Sequence, residues 1–242
     1  MKRLIVIGLA AVSLTACETL PAEGFGTILE GIAGQASSQG LTTFEIEAGL
    51  RQALEIGATN VSSQLGATDG FFGDSQIRIP LPGRLGEIQQ NLQRVGLSAP
   101  LDDLQLRMNR AAEASMPEAR RLIVSAVQSI TLEDAVGILQ GGDTAATSFL
   151  RGKTEAGLRN AFSPFIDEAL QTSGAFQALD NVASRNGLGV LSTNLRGDMT
   201  EHAVNLGLQG MFFYVAQEEK KIRENPVART TELLRKVFGA TG

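Results

Sequence analysis

An all-α fold is predicted for this 242-residue chain by three observations. Apolar residues recur at three- and four-residue spacing, Ser/Thr-x-x-acid starts and Gly or Asn-Pro stops punctuate them, and alternating strand patterns are few. The exception is "IRIPLP", ending at Pro82, where each proline biases the residue before it toward extended geometry. The expected architecture is a multi-helix bundle with one short extended segment around residues 76–82.

The chain opens with Met1-Lys2-Arg3, the apolar run "LIVIGLAAVSL" and small residues before Cys17, the layout of a secretory signal. The run is about half of the ~20 residues that a spanning helix needs. Its last four residues, Leu14-Thr15-Ala16-Cys17, resemble a bacterial lipobox, in which the peptidase cuts before a cysteine whose thiol already carries diacylglycerol. Residues 1–16 are therefore read as a signal peptide and Cys17 as the lipid attachment point. A thiol nucleophile would need a base and an orienting group, and a flexible stretch follows instead. Stable anchoring takes more than one acyl chain, which a triacylated N-terminus supplies. Glu18 at the next position resembles the sorting signal for the outer membrane, so the expected location is the periplasm, anchored to that membrane. Residues 17–42, rich in Gly, Ser, Thr and Ala, read as the lipidated N-terminus and a tether with a reach of roughly 25 to 30 Å. Residues 43–242 read as one helical domain.

Loss of the signal removes Lys2 and Arg3 from 21 basic residues and none of the 26 acidic ones, leaving a balance of −7. Nucleic-acid binding rests on Lys and Arg neutralising phosphates, so no nucleic-acid partner is expected. With Cys17 lipidated no disulfide can form, and stability has to come from packing.

Within the domain, Ile46, Leu50, Leu54, Val61 and Leu65 line one face of a first helix, Thr43 to Leu65. The second is expected from Arg84 to Val95, stopped by Gly96, and the third from Leu101 to Ala114. Ser115-x-x-Glu118 with Pro117 reads as a fresh start and a bend. Thr131-x-x-Asp134 opens a short helix ended by Gly141-Gly142, and Asp143 is placed to cap the next. Pro164 is expected to kink or divide a helix over Thr154 to Leu170. Phe176 to Ser184 precedes a stop at Asn186-Gly187. Asp198-x-x-Glu201 reads as the start of a helix reaching Glu224, followed after Asn225-Pro226 by a last one to Phe238. Ala203 to Ala216 ("AVNLGLQGMFFYVA") is apolar on nearly every side, as a central helix should be, and Gly207 and Gly210 would let a neighbour come close.

Chemistry-bearing constellations are sparse. His202 is the only histidine, set in the first turn of its expected helix, and one histidine without a free cysteine does not make the usual zinc or copper site. No P-loop, dinucleotide fingerprint or G-x-S-x-G is present, so no metal and no cofactor is implied. Asp69 and Asp74 flank glycines but lack the alternation of a calcium loop. The "IRIPLP" segment reads first as an apolar strap across the bundle, and second as the lip of a cleft with Arg78 facing an anion. Asn109 and Glu113 share a helix face beside Arg110. Gly141-Gly142-Asp143-Thr144 offers free amides at a helix start, a natural anion site. Arg78, Asn109, Arg110, Glu113, Asp143 and Thr144 together form the candidate ligand cleft. In "EEKKIRENPVARTTELLRKVFG", Glu219 and Arg223 make an i to i+4 pair, and the stretch reads first as a solvated helix face and second, through Arg229, Arg235 and Lys236, as a contact with anionic headgroups.

"IRIPLP", "MNRAAEAS", "DAVGILQGGDTAAT" and the closing charged stretch, in this order, resemble family 4197 of the domains of unknown function, a bacterial group often carrying signal peptides or lipoboxes. The likeness covers about Leu41 to Gly242 and implies an exported, helical, single-domain protein. It carries over no activity and no catalytic residue. Two main functional expectations result, beside a third, a scaffold that takes no small ligand and has no sizeable pocket. The first is a non-enzymatic, lipid-anchored envelope module that binds a protein partner or a small amphiphile. The second is an envelope enzyme working through Glu113, Arg110 and Arg78.

Overall fold

The computed structural model describes residues 42–178 and 189–224, and the chain divides into two units, Met1–Gly40 and Leu41–Gly242. The described part of the second unit is all-α. Its helices are α1 (Thr43–Leu65), α2 (Gly83–Gln93), α3 (Ala99–Gln128), α4 (Leu132–Gln140), α5 (Ala145–Gln171) and α6 (Gly189–Glu224). Residues 174–178 are also helical, and no strand occurs among the described residues. The signal peptide, Cys17, the tether as far as residue 41, the end of the 176–184 stretch from residue 179, the Asn186-Gly187 stop and the last helix with Arg229, Arg235 and Lys236 all lie outside the described residues.

Helix α5 packs on both α3 and α6, and α1 lies against α3 and α6. The short α4 bridges α1 and α5, whereas α2 lies lightly on the flank of α3. The Thr131 start signal behaves as read, and a second capping box, not read from the sequence, opens the first helix. Thr42 and Glu45 form a reciprocal capping box on α1, and Thr131 with Asp134 does the same on α4. Helix α2 stops where expected, within two residues, in a Schellman motif: Gly96 takes a positive φ, Leu97 N–H donates to Leu92 C=O and Gly96 N–H to Gln93 C=O.

Three boundary expectations are corrected. Helix α3 runs unbroken through Pro117, and the Ser115 hydroxyl donates to the Ala112 carbonyl instead of capping a new start. One buried stripe, from Leu104 through Met108, Ala112, Met116, Ala119, Ile123 and Val127, continues across the proline, so burial against neighbouring helices outweighs the lost amide. Helix α5 likewise continues through Pro164, because Leu158, Phe162, Ile166 and Leu170 are buried on both sides of it. Helix α6 begins at Gly189, nine residues before Asp198, so His202 sits well inside the helix and away from its N-terminal dipole.

The central character of α6 is as expected: Ala203, Val204, Leu208, Met211, Phe212 and Val215 are all buried. Among the described residues no single helix is long and apolar enough to cross a membrane. Gly207 and Gly210 of α6 make room for side chains. A Cβ on Gly207 would lie 3.2 Å from the ring of Phe162, and one on Gly210 would lie 2.9 Å from Ile77 Cβ, closer than carbon atoms pack. Gly210→Ala is therefore expected to destabilise by about 1 to 3 kcal/mol through overpacking, despite alanine's higher helix propensity. Gly152→Ala in α5, where a Cβ meets nothing within 4 Å, should instead stabilise by about 0.5 to 1 kcal/mol. Opposite shifts in chemical denaturation would verify the contrast, and equal shifts would refute it.

Candidate functional site

The segment between α1 and α2 is held from both sides by polar groups. Phe71, Ile77, Ile79 and Leu81 are buried, while Arg78 and Pro80 are exposed, which is the alternation of a strap. Asn109 of α3, fully buried, treats Ile79 as a neighbouring strand would. Its Oδ1 accepts from Ile79 N–H at 2.9 Å, and its Nδ2 donates to Ile79 C=O at 2.9 Å and to Gln105 C=O at 2.8 Å. One turn along α3, buried Glu113 accepts at Oε1 from the amides of Phe71 (3.1 Å) and Phe72 (3.2 Å). Its Oε2 takes Arg110 Nη1 at 2.6 Å, and Arg110 Nη2 reaches Asp69 Oδ1 at 2.8 Å. Asp69 has a φ of 68°, a left-handed turn conformation that aspartate tolerates. The hydrogen bond from Arg110 to Glu113, more than any other contact, raises the guanidinium pKa above its ordinary value.

Helix α6 grips the other side of the strap. Tyr214 hydroxyl donates to Asp74 Oδ2, and this bond raises the phenol above its ordinary value of 10.0, so it stays a donor. Asp74 Oδ1 also accepts from Gln76 N–H, and a ring nitrogen of His202 lies 3.0 Å from Pro80 C=O. Asp69 and Asp74 thus serve separate partners. Among the described residues no three His, Cys, Asp or Glu side chains converge as a metal site.

The six residues of the expected cleft fall into three places. Asn109, Arg110 and Glu113 hold the inner side of the strap. Arg78 lies on its outer side, with Nε donating to Phe72 C=O at 2.5 Å and the guanidinium 5.0 Å above the Phe72 ring. Glu113 takes its guanidinium partner from Arg110 and not from Arg78. Asp143 and Thr144 are exposed at the start of α5, and Thr144 occupies the N-cap without a side-chain cap, so Asp143 does not cap that helix.

The amides of that helix start are taken by a residue that sequence reading had put on a solvated face. Glu219 of α6 is buried and accepts from Ala146 N–H (2.9 Å), Thr147 N–H (2.8 Å) and Thr147 Oγ1 (2.8 Å). Arg223 completes the cluster, donating to Glu219 Oε1 at 2.8 Å and to Ile138 C=O at 2.8 Å. The anion site of the "GGDT" turn is filled by the chain's own carboxylate, which places a negative charge at the positive end of α5. A signal for it exists in the sequence: Glu219 stands four residues after Val215 and three before Ile222, inside the apolar stripe of α6.

Open space lies elsewhere. The cavity beside Glu219, lined by Leu54, Ile123, Leu150 and Val215, measures about 20 Å³, room for one water. A depression of about 530 Å³ between α1 and α3 mixes apolar Ile56 and Val124 with charges of both signs, Glu55 and Arg120. A third, of about 360 Å³, runs between the strap and α6. Ile77, Pro80, Leu206, Gly210 and Phe213 form its apolar surface, Gln76 and Gln209 its polar rim, and Arg78 is the only charged residue of its described lining. Leu206, Gln209, Gly210 and Phe213 stand three and four apart and so share one face of α6.

No curated protein and no solved structure matches the chain. The family model of DUF4197, described as a protein of unknown function, matches residues 40–239, and with them the strap, both carboxylate clusters and the α6 groove. Spanning the helical unit nearly end to end, that match places the chain in the DUF4197 family.

Proposed function

We propose that the chain is lipidated at Cys17, stands on the periplasmic face of the outer membrane, and acts as a non-enzymatic binding module for a small anionic amphiphile. The groove between the strap and α6 carries this reading. Its volume of about 360 Å³ falls in the range of ligand clefts. A largely apolar groove with a single arginine in its lining suits a hydrocarbon chain with an anionic head, because the head is attracted electrostatically while the chain leaves water. The alternative, catalysis by Glu113, Arg110 and Arg78, has less support. Both oxygens of Glu113 are bound to backbone amides or to Arg110, and Arg78 lies on the other side of the strap.

Titration of the purified chain with dodecanoate, followed by amide chemical shifts, is expected to move Leu206, Gln209 and Gly210 first. Arg78→Glu should weaken binding about tenfold or more, and dodecanol should bind more weakly than dodecanoate. Shifts centred away from the groove, or equal affinity for the alcohol, would overturn the ligand assignment. The anchor has its own readout. Intact mass of the mature protein should show a fatty adduct on Cys17, and a bare thiol would refute lipidation.

A further inference from the structure

Helix α2 is turned the wrong way round for a core helix. Its only buried side chain is Gln89, with Leu85 and Leu92 half-buried beside it. Gln89 Nε2 donates to Asp102 Oδ1 (2.8 Å) and to Gln105 Oε1 (2.9 Å) of α3, and Gln93 and Ser98 donate to the same Asp102 carboxylate. These bonds, that from Ser98 foremost, hold the Asp102 carboxyl below its ordinary 3.8. Polar groups thus fasten α2 to the bundle while apolar ones face outward: Ile88 is 47 % exposed, Val95 67 % and Leu97 66 %. They account for three of the five large apolar side chains exposed in the described structure, within ten residues of one another. The Schellman turn at Gly96 folds Val95 and Leu97 back beside the end of the helix. Arg84 and Arg94, both exposed, stand at either end, and Glu87 is the one acid between Gly83 and Leu97.

We infer that this face of α2 docks on an anionic phospholipid surface, with Ile88, Val95 and Leu97 entering the headgroup boundary and Arg84 and Arg94 at the phosphates. The occupant is chosen by charge and by composition. A basic-flanked apolar patch on an otherwise acidic chain fits an interfacial helix, whose binding adds buried apolar area to attraction for anionic lipids. Exposed apolar clusters of this kind mark interaction surfaces. The inference rests on the envelope location proposed above: a tether from Cys17 would hold the domain within reach of a bilayer, and docking would then fix its orientation. It requires no lipid on Cys17 and no ligand in the α6 groove.

Vesicle co-sedimentation of the mature chain carrying Cys17→Ser tests it without help from an acyl chain. Binding to phosphatidylglycerol-containing vesicles is expected, weakening as salt rises, with at least tenfold weaker binding to pure phosphatidylcholine. The triple variant Ile88→Ser/Val95→Ser/Leu97→Ser should lose at least tenfold, and Arg84→Gln/Arg94→Gln should flatten the salt dependence, both with the melting temperature of the parent. No vesicle binding by the parent, or an unaltered triple variant, would overturn the inference. So would a dimer in sedimentation that the triple variant dissociates, since a second copy would then cover the face. Failure of lipidation reads out separately as a bare Cys17 in the intact mass.

Discussion

Glu219→Ala is expected to lower the stability of the domain by about 3 to 5 kcal/mol, the cost of removing one partner from a buried charge pair. The carboxylate answers three donors at the start of α5 and one guanidinium on its own helix. Without it the amides of Ala146 and Thr147 are buried and unpaired, each a desolvation penalty of about 1 to 3 kcal/mol. Arg223 keeps its bond to the Ile138 carbonyl, and its partial exposure lets water relieve some of the loss. In a domain of some 200 residues, each kcal/mol moves the melting temperature by about 2 to 4 °C, so a drop on the order of 10 °C is expected. Glu219→Gln, which keeps an acceptor for the amides, should lose less. Glu218→Ala, one residue away, gives up a pair with exposed Lys221 and a long bond from Asn60 Nδ2 at 3.4 Å but leaves no buried amide unpaired, so it should lose much less than Glu219→Ala. If the Glu218 and Glu219 variants melt together, the carboxylate is not what joins α6 to α5.

How far the sequence could be read depends on whether a feature is set by neighbours along the chain or across it. Thr42 with Glu45, Thr131 with Asp134, and Gly96 each complete their motif within six residues, so their helix ends were legible. The extension of α3 through Pro117 and of α5 through Pro164 was not, because the apolar faces that carry these helices across the break are satisfied by other helices. The strap was legible from Ile77, Ile79 and Leu81 alternating with Arg78 and Pro80. Its fixings were only half visible. Asn109 and Glu113 stood out on one helix face, but their partners are backbone groups 30 to 42 residues away, and backbone leaves no mark in a sequence. For the same reason Glu219 read as solvated. The charge pattern reports Arg223 four residues on, and the amides of Ala146 and Thr147, 73 and 72 residues back, cannot be seen.

Asn109→Leu tests whether the strap, and with it the wall of the groove, is held by that one amide. Leucine has the same number of side-chain heavy atoms as asparagine but is bulkier, so no cavity forms and the loss combines unmade hydrogen bonds with some overpacking at a fully buried site. Ile79 N–H and C=O, both served by Asn109 in a fully buried setting, would be left unpaired except for the longer bond from Gln105 Nε2 to the carbonyl at 3.4 Å. At about 1 to 3 kcal/mol for each orphaned group, the expected destabilisation is about 2 to 6 kcal/mol. The location of the damage separates this from a general core defect. Amide exchange should accelerate first in residues 77–82, while α5 keeps its protection relative to the global unfolding limit. Asn109→Asp makes a sharper comparison, since it keeps the acceptor for Ile79 N–H and removes both donors. It should fall below wild type, and Gln105→Ala, which withdraws the long bond to the strap and the part-buried acceptor for Gln89 but leaves both Asn109 bonds to Ile79, should fall least. Because Ile77 and Pro80 line the groove beside α6, the leucine variant should also weaken dodecanoate binding even under conditions where it remains folded. A leucine variant within 1 kcal/mol of wild type would mean that Tyr214, His202 and Glu113 hold the strap unaided.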